Sequence, residues 1–263
     1  MIKLLSLILL ILLLIIGKER GLKTFITIYI NLALIFLLVI IVGWGFNPII
    51  PTIFICIIIA LIILFFLNGY NKKTLSSFIA VSIIIVIFIA ITLLVSNRIY
   101  IQGYTEETIE AIGYVVYDTG INMLNLSTCV IIIGLIGNII DTSIAISSSL
   151  YEVHINNPKL TKKELFISGM NIGKDILGTT TNTLFFAYLG GYMTLLLFIS
   201  DHKYSFSSII NAKVFATEFT RIVLSGIASF LIIPLTSFIT SNMCLNDKEL
   251  YTEEKLPHKK KVK

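Results

Sequence analysis

The sequence predicts an all-α, polytopic membrane protein of about seven helical spans, and three observations carry that prediction. Hydrophobic residues make up 56% of the 263 and charged residues only 13%, whereas a soluble domain runs at about 45–50% and about 25%. Mean hydropathy is +0.95. Several apolar runs reach about 20 residues, the length that crosses a bilayer as a helix. Together these exclude a disordered chain, a secreted disulfide scaffold and a nucleic-acid module. The net charge of +5 comes from loop and tail lysines, not from a basic binding face. Cys56, Cys129 and Cys244 lie within or at the edge of apolar runs and read as small apolar fillers, with no disulfide or metal set implied.

The expected spans are 2–16, 24–42, 48–67, 75–95, 126–150, 175–199 and 214–243. The first has a single flanking Lys3 and no small-residue cleavage site, and Gly17-Lys18-Glu19-Arg20 follows at once, so it reads as a retained span and not a removed leader. The seventh is long, about 45 Å at 1.5 Å per residue, and Pro234 is expected to break it. The chain then divides into an N-terminal span and basic turn (1–23), a membrane domain (24–245) and a lysine-rich tail (246–263).

Orientation follows from the Lys/Arg bias. One side holds Lys18, Arg20 and Lys23, then Lys72 and Lys73, then Lys159, Lys162, Lys163 and Lys174, with six tail lysines: fifteen cations. The other side holds four, Lys3, Arg98, Lys203 and Lys213. The expected N-terminus is outside and the tail cytoplasmic, where it also favours anionic lipid heads. Between spans four and five, Ile109, Ile112 and Val116 recur at helical spacing with Glu106, Glu110 and Tyr117 turned away, as in a helix lying on the outer surface. Between spans five and six, Asn156-Asn157-Pro158 breaks the chain, and Thr161-Lys162-Lys163-Glu164 has the form of a capping box opening a short helix.

Absences narrow the chemistry. His154, His202 and His258 fall in loops or the tail, and there is no His-Glu-x-x-His zinc motif and no Walker lysine loop. No lysine lies deep in the seventh span to carry a retinal. Tyr117-Asp118 matches half of a membrane aspartyl-protease signature, but the Gly-x-Gly-Asp half is missing. The chain therefore reads as no enzyme, with no cofactor.

What remains is polar chemistry inside the spans. In the fifth, Gly134, Gly137, Asp141, Ala145, Ser148 and Glu152 fall within an arc of about 80°. Small residues such as Gly134, Gly137 and Ser148 let another helix approach closely. Asp141 lies near mid-span, where a charge costs several kcal/mol unless it is protonated, paired or hydrated. It is either a reversible proton carrier or a neutral carboxyl that hydrogen-bonds helices together. In the sixth span Asp175, Gly178, Thr179 and Asn182 share a face with Thr183 beside them. At 1.5 Å per residue Asn182 is about 10 Å and Asp141 about 13 Å from the cytoplasmic end, so the two can meet. These hydroxyls either face the carboxyl or bond their own i−4 carbonyls. In the seventh, Glu218 and Arg221 stand at i, i+3, with Ser225 and Ser229 continuing the stripe. They are either a snorkelling anchor or an ion-paired wall of a site.

Beyond these readings, the stretch from Gly134 to Asn157, the Lys174-Asp175…Thr179-Thr180-Thr181-Asn182-Thr183-Leu184 segment, the Arg221…Gly226…Pro234-Leu235-Thr236 pattern and the loop Asn68-Gly69-Tyr70-Asn71-Lys72-Lys73-Thr74-Leu75 resemble the YibE/F family of bacterial multispan membrane proteins. Many members carry an outside domain after the first span; this chain has none there and resembles the shorter, YibF-type member. The resemblance implies the bacterial plasma membrane and either a YibE-like paralogue or a homo-oligomer as partner. A more distant resemblance is to the SecD/SecF and RND transporter membrane domain, through Gly137-x-x-x-Asp141 and the Thr-rich start of the sixth span. It implies that spans two to seven are arranged like one RND half without its outside domain, since Gly43-Trp44-Gly45-Phe46-Asn47 is only a tight turn. The functional expectation is a proton- or ion-coupled transport or translocation module built around Asp141; the alternative is a structural or assembly subunit with no transport of its own.

Overall fold

The computed structural model describes residues 1–99, 122–191, 193, 207 and 213–245. Among them every regular element is helical. They are α1 (Ile2–Gly43), α2 (Ile49–Leu61, continued by a π-helical turn over Ile62–Phe66), α3 (Lys72–Ile99), α4 (Met123–Asn156), α5 (Lys162–Gly191) and α6 (Lys213–Leu245). Ile- and Val-rich segments are indifferent helix formers in water. In hydrocarbon, however, every backbone N–H and C=O must be satisfied within the segment, and the helix does that. Five of the described helices are long and apolar enough to cross a membrane.

α1 contains the first two expected spans. Its backbone leaves helical geometry at Lys18 (φ 48°, ψ −126°), and the chain reverses there. Ser6 Oγ is hydrogen-bonded to the Tyr29 hydroxyl, although 23 residues of straight helix would hold them about 35 Å apart. Gly21 lies against the backbone of Leu13, so close that a Cβ on residue 21 would overlap the Leu13 carbonyl oxygen. The two arms are therefore an antiparallel hairpin, and glycine at 21 is what allows its closed end.

Several boundaries differ from the sequence expectation. α4 runs on to Asn156 and α5 already starts at Lys162, so the expected cytoplasmic loop of about two dozen residues shrinks to the turn at Asn157-Pro158-Lys159-Leu160. The capping box is present: the Glu164 carboxylate accepts from the Thr161 N–H (2.8 Å) and hydroxyl (2.8 Å). It opens a helix of 30 residues, not a short one. Pro234 lies inside α6 without ending it, because a lost ladder bond is tolerated where neighbouring helices enclose the turn. The outer-surface helix expected around Ile109–Val116, Tyr117-Asp118 and the lysine tail lie outside the described residues.

The backbone N–H of Thr161, with its hydroxyl, holds the Glu164 carboxyl below its ordinary 4.5. A depressed folded value means the cap's contribution is present above the unfolded value and is lost as pH falls through the folded one. The protection of the first-turn amides of α5, taken relative to their intrinsic exchange rates, is therefore expected to fall as the pH drops through that depressed value, and Glu164→Ala is expected to show the low protection at neutral pH as well.

The core lies between α3, α4 and α6, around Phe88, Ile84, Ile85, Ile131, Ile132, Leu135, Ile139, Leu224, Ala228 and Ile232. α2 joins it through Cys56, Ala60 and Leu64. Large apolar residues also point outward, Val86 at 59% and Leu94 at 70% exposed, as lipid-facing residues do. α5 lies against α4 and α6. Its Gly169 fits beside Ser237 and Leu150, and its Gly173 beside Ile233.

Contacts also fix which ends lie together. Arg20 donates to Asn68 Oδ1 (2.8 Å), Thr240 to Ser76 Oγ (3.0 Å), and the Lys162 ammonium sits over the Phe238 ring (4.9 Å). At the opposite end Asn125 Nδ2 donates to Asn47 Oδ1 (3.2 Å). The basic turns of the sequence thus share one end of the bundle.

Candidate functional site

α4 is started by Asn122, whose Oδ1 accepts from the backbone N–H groups of Leu124 and Asn125 (3.0 and 3.3 Å). The helix then buries its isoleucine face and leaves the Gly134–Gly137–Asp141 face open. Asp141 is exposed and makes no hydrogen bond or ion pair among the described residues. A Cβ added at Gly137 would meet nothing within 4 Å. Ser148, two turns further on, is half-buried.

The polar segment of α5 is open as well: Asp175, Gly178, Thr179, Asn182 and Thr183 are all exposed, on a face centred away from the buried Gly169 and Gly173. Two contacts bracket the depth. Leu150 meets Gly169, and a Cβ on Gly134 would lie 2.9 Å from the Tyr188 hydroxyl. Asp141 lies between the first pair of levels on α4 as Thr179 and Asn182 do on α5, so they stand at similar depth. They are not hydrogen-bonded to one another. Thr179 donates to the Ile176 carbonyl and Thr183 to the Thr179 carbonyl, both at 2.9 Å. Those two hydroxyls are thus spent on their own helix, and Asn182 is left as the uncommitted amide of the group.

One end of this open face is closed by polar groups. Arg221 Nη1 pairs with Glu218 Oε2 at 3.0 Å, both side chains about seven-eighths buried. The Arg221 stem runs 3.7 Å from the Gly134 Cβ position, and Tyr188 shares a hydrogen bond with Ser225 (3.3 Å). Burial favours the ion-paired wall over a free snorkelling anchor.

Sequence reasoning did not identify Tyr188 as part of the site, nor a seam of buried hydroxyls along the helix contacts. Asn138 donates to Ser229, Ser143 bonds Thr236 (3.0 Å), and Ser77 bonds Ser147 (2.6 Å). With Ser76–Thr240 and Tyr188–Ser225 these pairs run most of the length of the bundle. In a bilayer such bonds are worth about 0.6 kcal/mol each. The signal for them was thin: Ser and Thr at i, i+3 or i, i+4 inside apolar spans, such as Ser143/Ser147 and Thr236/Thr240, mark only that a helix has a polar side. Among the described residues no group of three or more His, Cys, Asp or Glu could hold a metal.

Compared with known proteins, residues 5–246 match the family model described as YibE/F-like protein. No curated protein and no solved structure matches the chain.

Proposed function

The chain belongs to the YibE/F-like family, and from that premise we propose that it is a proton- or ion-coupled transport or translocation module of the bacterial plasma membrane, without catalytic chemistry and acting with a paralogous partner. One observation carries the reading. Asp141 stands at mid-span on a face that the described residues leave open, without a hydrogen bond or counter-charge among them. A carboxyl at that depth does not face hydrocarbon; it faces water or another protein surface. Gly134, Gly137 and Gly178 keep that face thin enough for either. At a similar depth α5 carries Asn182 as an uncommitted amide, with Thr179, Thr183 and Asp175 exposed beside it. Gly137-x-x-x-Asp141 supports an RND-like arrangement by pattern alone.

The test is infrared difference spectroscopy of the purified protein between two pH values. A carboxyl band that shifts with pH in the wild type and is missing from Asp141→Asn is expected. A spectrum unchanged by the substitution sinks the carrier role. Extraction under mild conditions is expected to yield a complex larger than one chain; an active monomer contradicts the partner.

The basic turns grouped at one end support a cytoplasmic placement of that end, with the N-terminus outside. Single cysteines at Thr105 or Tyr204 are expected to react with an impermeant thiol reagent on intact cells, and at Lys72, Lys162 or Lys260 not to react. Labelling at Lys162 overturns the orientation. A second reading, a structural subunit, draws on the seam of interhelical hydroxyl bonds, which ties α3, α4 and α6 together whether or not anything is moved.

A further inference from the structure

Away from the Asp141 face, the reversal of α1 and the turn between α2 and α3 form an open recess of about 530 Å³. Its walls carry Lys18, Arg20, Lys23 and Lys73, with one carboxylate, Glu19, and the amide of Asn68. Four cations against one carboxylate leave the recess strongly positive. Two chain segments some fifty residues apart in sequence build it, and they are tied together: Arg20 Nη2 donates to Asn68 Oδ1 at 2.8 Å. Asn68 is itself held by its Nδ2, which donates to the Ile63 carbonyl (3.3 Å) within the π-helical turn. The ammonium groups of Lys18, Lys23 and Lys73 have no hydrogen bond or ion pair among the described residues. Three ammonium groups thus converge on a preformed hollow with no protein anion to neutralise them but Glu19.

We propose that this recess binds the phosphate of an anionic phospholipid headgroup. Phosphate is the anion that several converging lysines and a fixed guanidinium recognise, and the volume is that of a small-ligand site, about 300–1,000 Å³. The surroundings select a lipid over free phosphate. The recess lies where four apolar helical segments end, the two arms of α1, α2 and the start of α3. Chain neighbours of its lining residues, Ile15 (70%), Ile16 (82%) and Leu22 (43%), expose apolar side chains, as acyl chains require. Tyr70, 80% exposed and stacked on Phe65 (5.4 Å), marks the same turn as one at headgroup level. A headgroup here bridges the α1 hairpin to the α2–α3 turn and fastens the hairpin to the rest of the bundle. The proposal stands on this geometry and does not depend on what Asp141 does.

The test is native mass spectrometry of the purified full-length protein titrated with phosphatidylglycerol or phosphatidylcholine. Phosphatidylglycerol is expected to bind about tenfold more tightly or better. Lys23→Gln/Lys73→Gln is expected to erase that preference, and Lys23→Arg/Lys73→Arg to keep it. The control Lys159→Gln/Lys163→Gln removes two exposed cations elsewhere at the same end and is expected to leave the preference intact. Circular dichroism melting verifies that each variant is folded. Equal affinity for the two lipids in the wild type overturns the proposal, and so does an equal loss in the control, which would make the attraction general to this end. Displacement of the lipid by millimolar inorganic phosphate assigns the recess to the free anion and also overturns it.

Discussion

Asp141→Asn is expected to cut proton flux into liposomes containing the purified protein and its copurified partner by about 100-fold, the scale of one positioned proton-transfer group. Its abundance in the membrane is expected to be unchanged. The second half follows from the structure. Asp141 makes no hydrogen bond among the described residues and lies on an open face, so the near-isosteric amide removes no contact of the fold, and the stability change stays within about 0.5 kcal/mol. Asp141→Glu keeps a titrating group one methylene further out and is expected to retain part of the flux. Asn138→Ala is the informative contrast. Asn138 donates to Ser229 across the α4–α6 contact, so its loss is expected to lower thermal stability slightly and leave flux largely intact. The structural-subunit reading reverses the pattern: full function in Asp141→Asn and damage from the loss of interhelical bonds. An internal pH dye and a melting curve on the same three variants separate the two readings.

The membrane helices themselves were legible because a bilayer reduces the problem to apolar length, and α1, α2 with its π-helical turn, α3, α4 and α6 are each long and apolar enough to cross one. Boundaries were less legible, for a physical reason. Polar residues such as Glu152, His154 and Lys174 read as loop on hydropathy, yet a helix that leaves the membrane goes on satisfying its own backbone, and α4 and α5 simply extend past the apolar run. Pro234 was expected to break α6 on propensity, which measures the cost in water and not among packed helices. The polar residues of the site were visible one helix at a time. That Asp141, Gly134 and Gly137 share a face follows from their spacing. That the face stays uncovered, that Tyr188 closes one end of it, and that Thr179 and Thr183 bond their own carbonyls depend on how α5 crosses α4, which no spacing encodes. The basic recess was invisible for the same reason: Lys18, Arg20 and Lys23 read as a topology signal, and only the reversal at Lys18 brings them against Asn68 and Lys73.

Gly21→Ala is expected to be the most damaging glycine-to-alanine change among the described residues. A Cβ at residue 21 would overlap the carbonyl oxygen of Leu13. That obstacle is backbone, so it cannot rotate aside as a side chain would, and one arm of α1 has to move away from the other. Overpacking of this kind costs about 3 kcal/mol. Separation of the arms also removes the Ser6–Tyr29 hydrogen bond and shifts Lys18, Arg20 and Lys23 relative to Asn68. A short bifunctional thiol crosslinker between cysteines placed at Ser6 and Tyr29 reads the geometry directly, because the contact runs through the far end of the tyrosine ring and leaves the two Cβ atoms beyond disulfide range: the link is expected to form readily with glycine at 21 and poorly with alanine. Gly17→Ala is the matched control, since a Cβ there meets nothing within 4 Å; alanine in a helix is favoured over glycine by up to about 1 kcal/mol, so the same crosslink is expected to form at least as well. If Gly21→Ala crosslinks as efficiently as the wild type, the two arms do not lie against each other at Leu13, and the hairpin and the recess at its bend both fall with that contact.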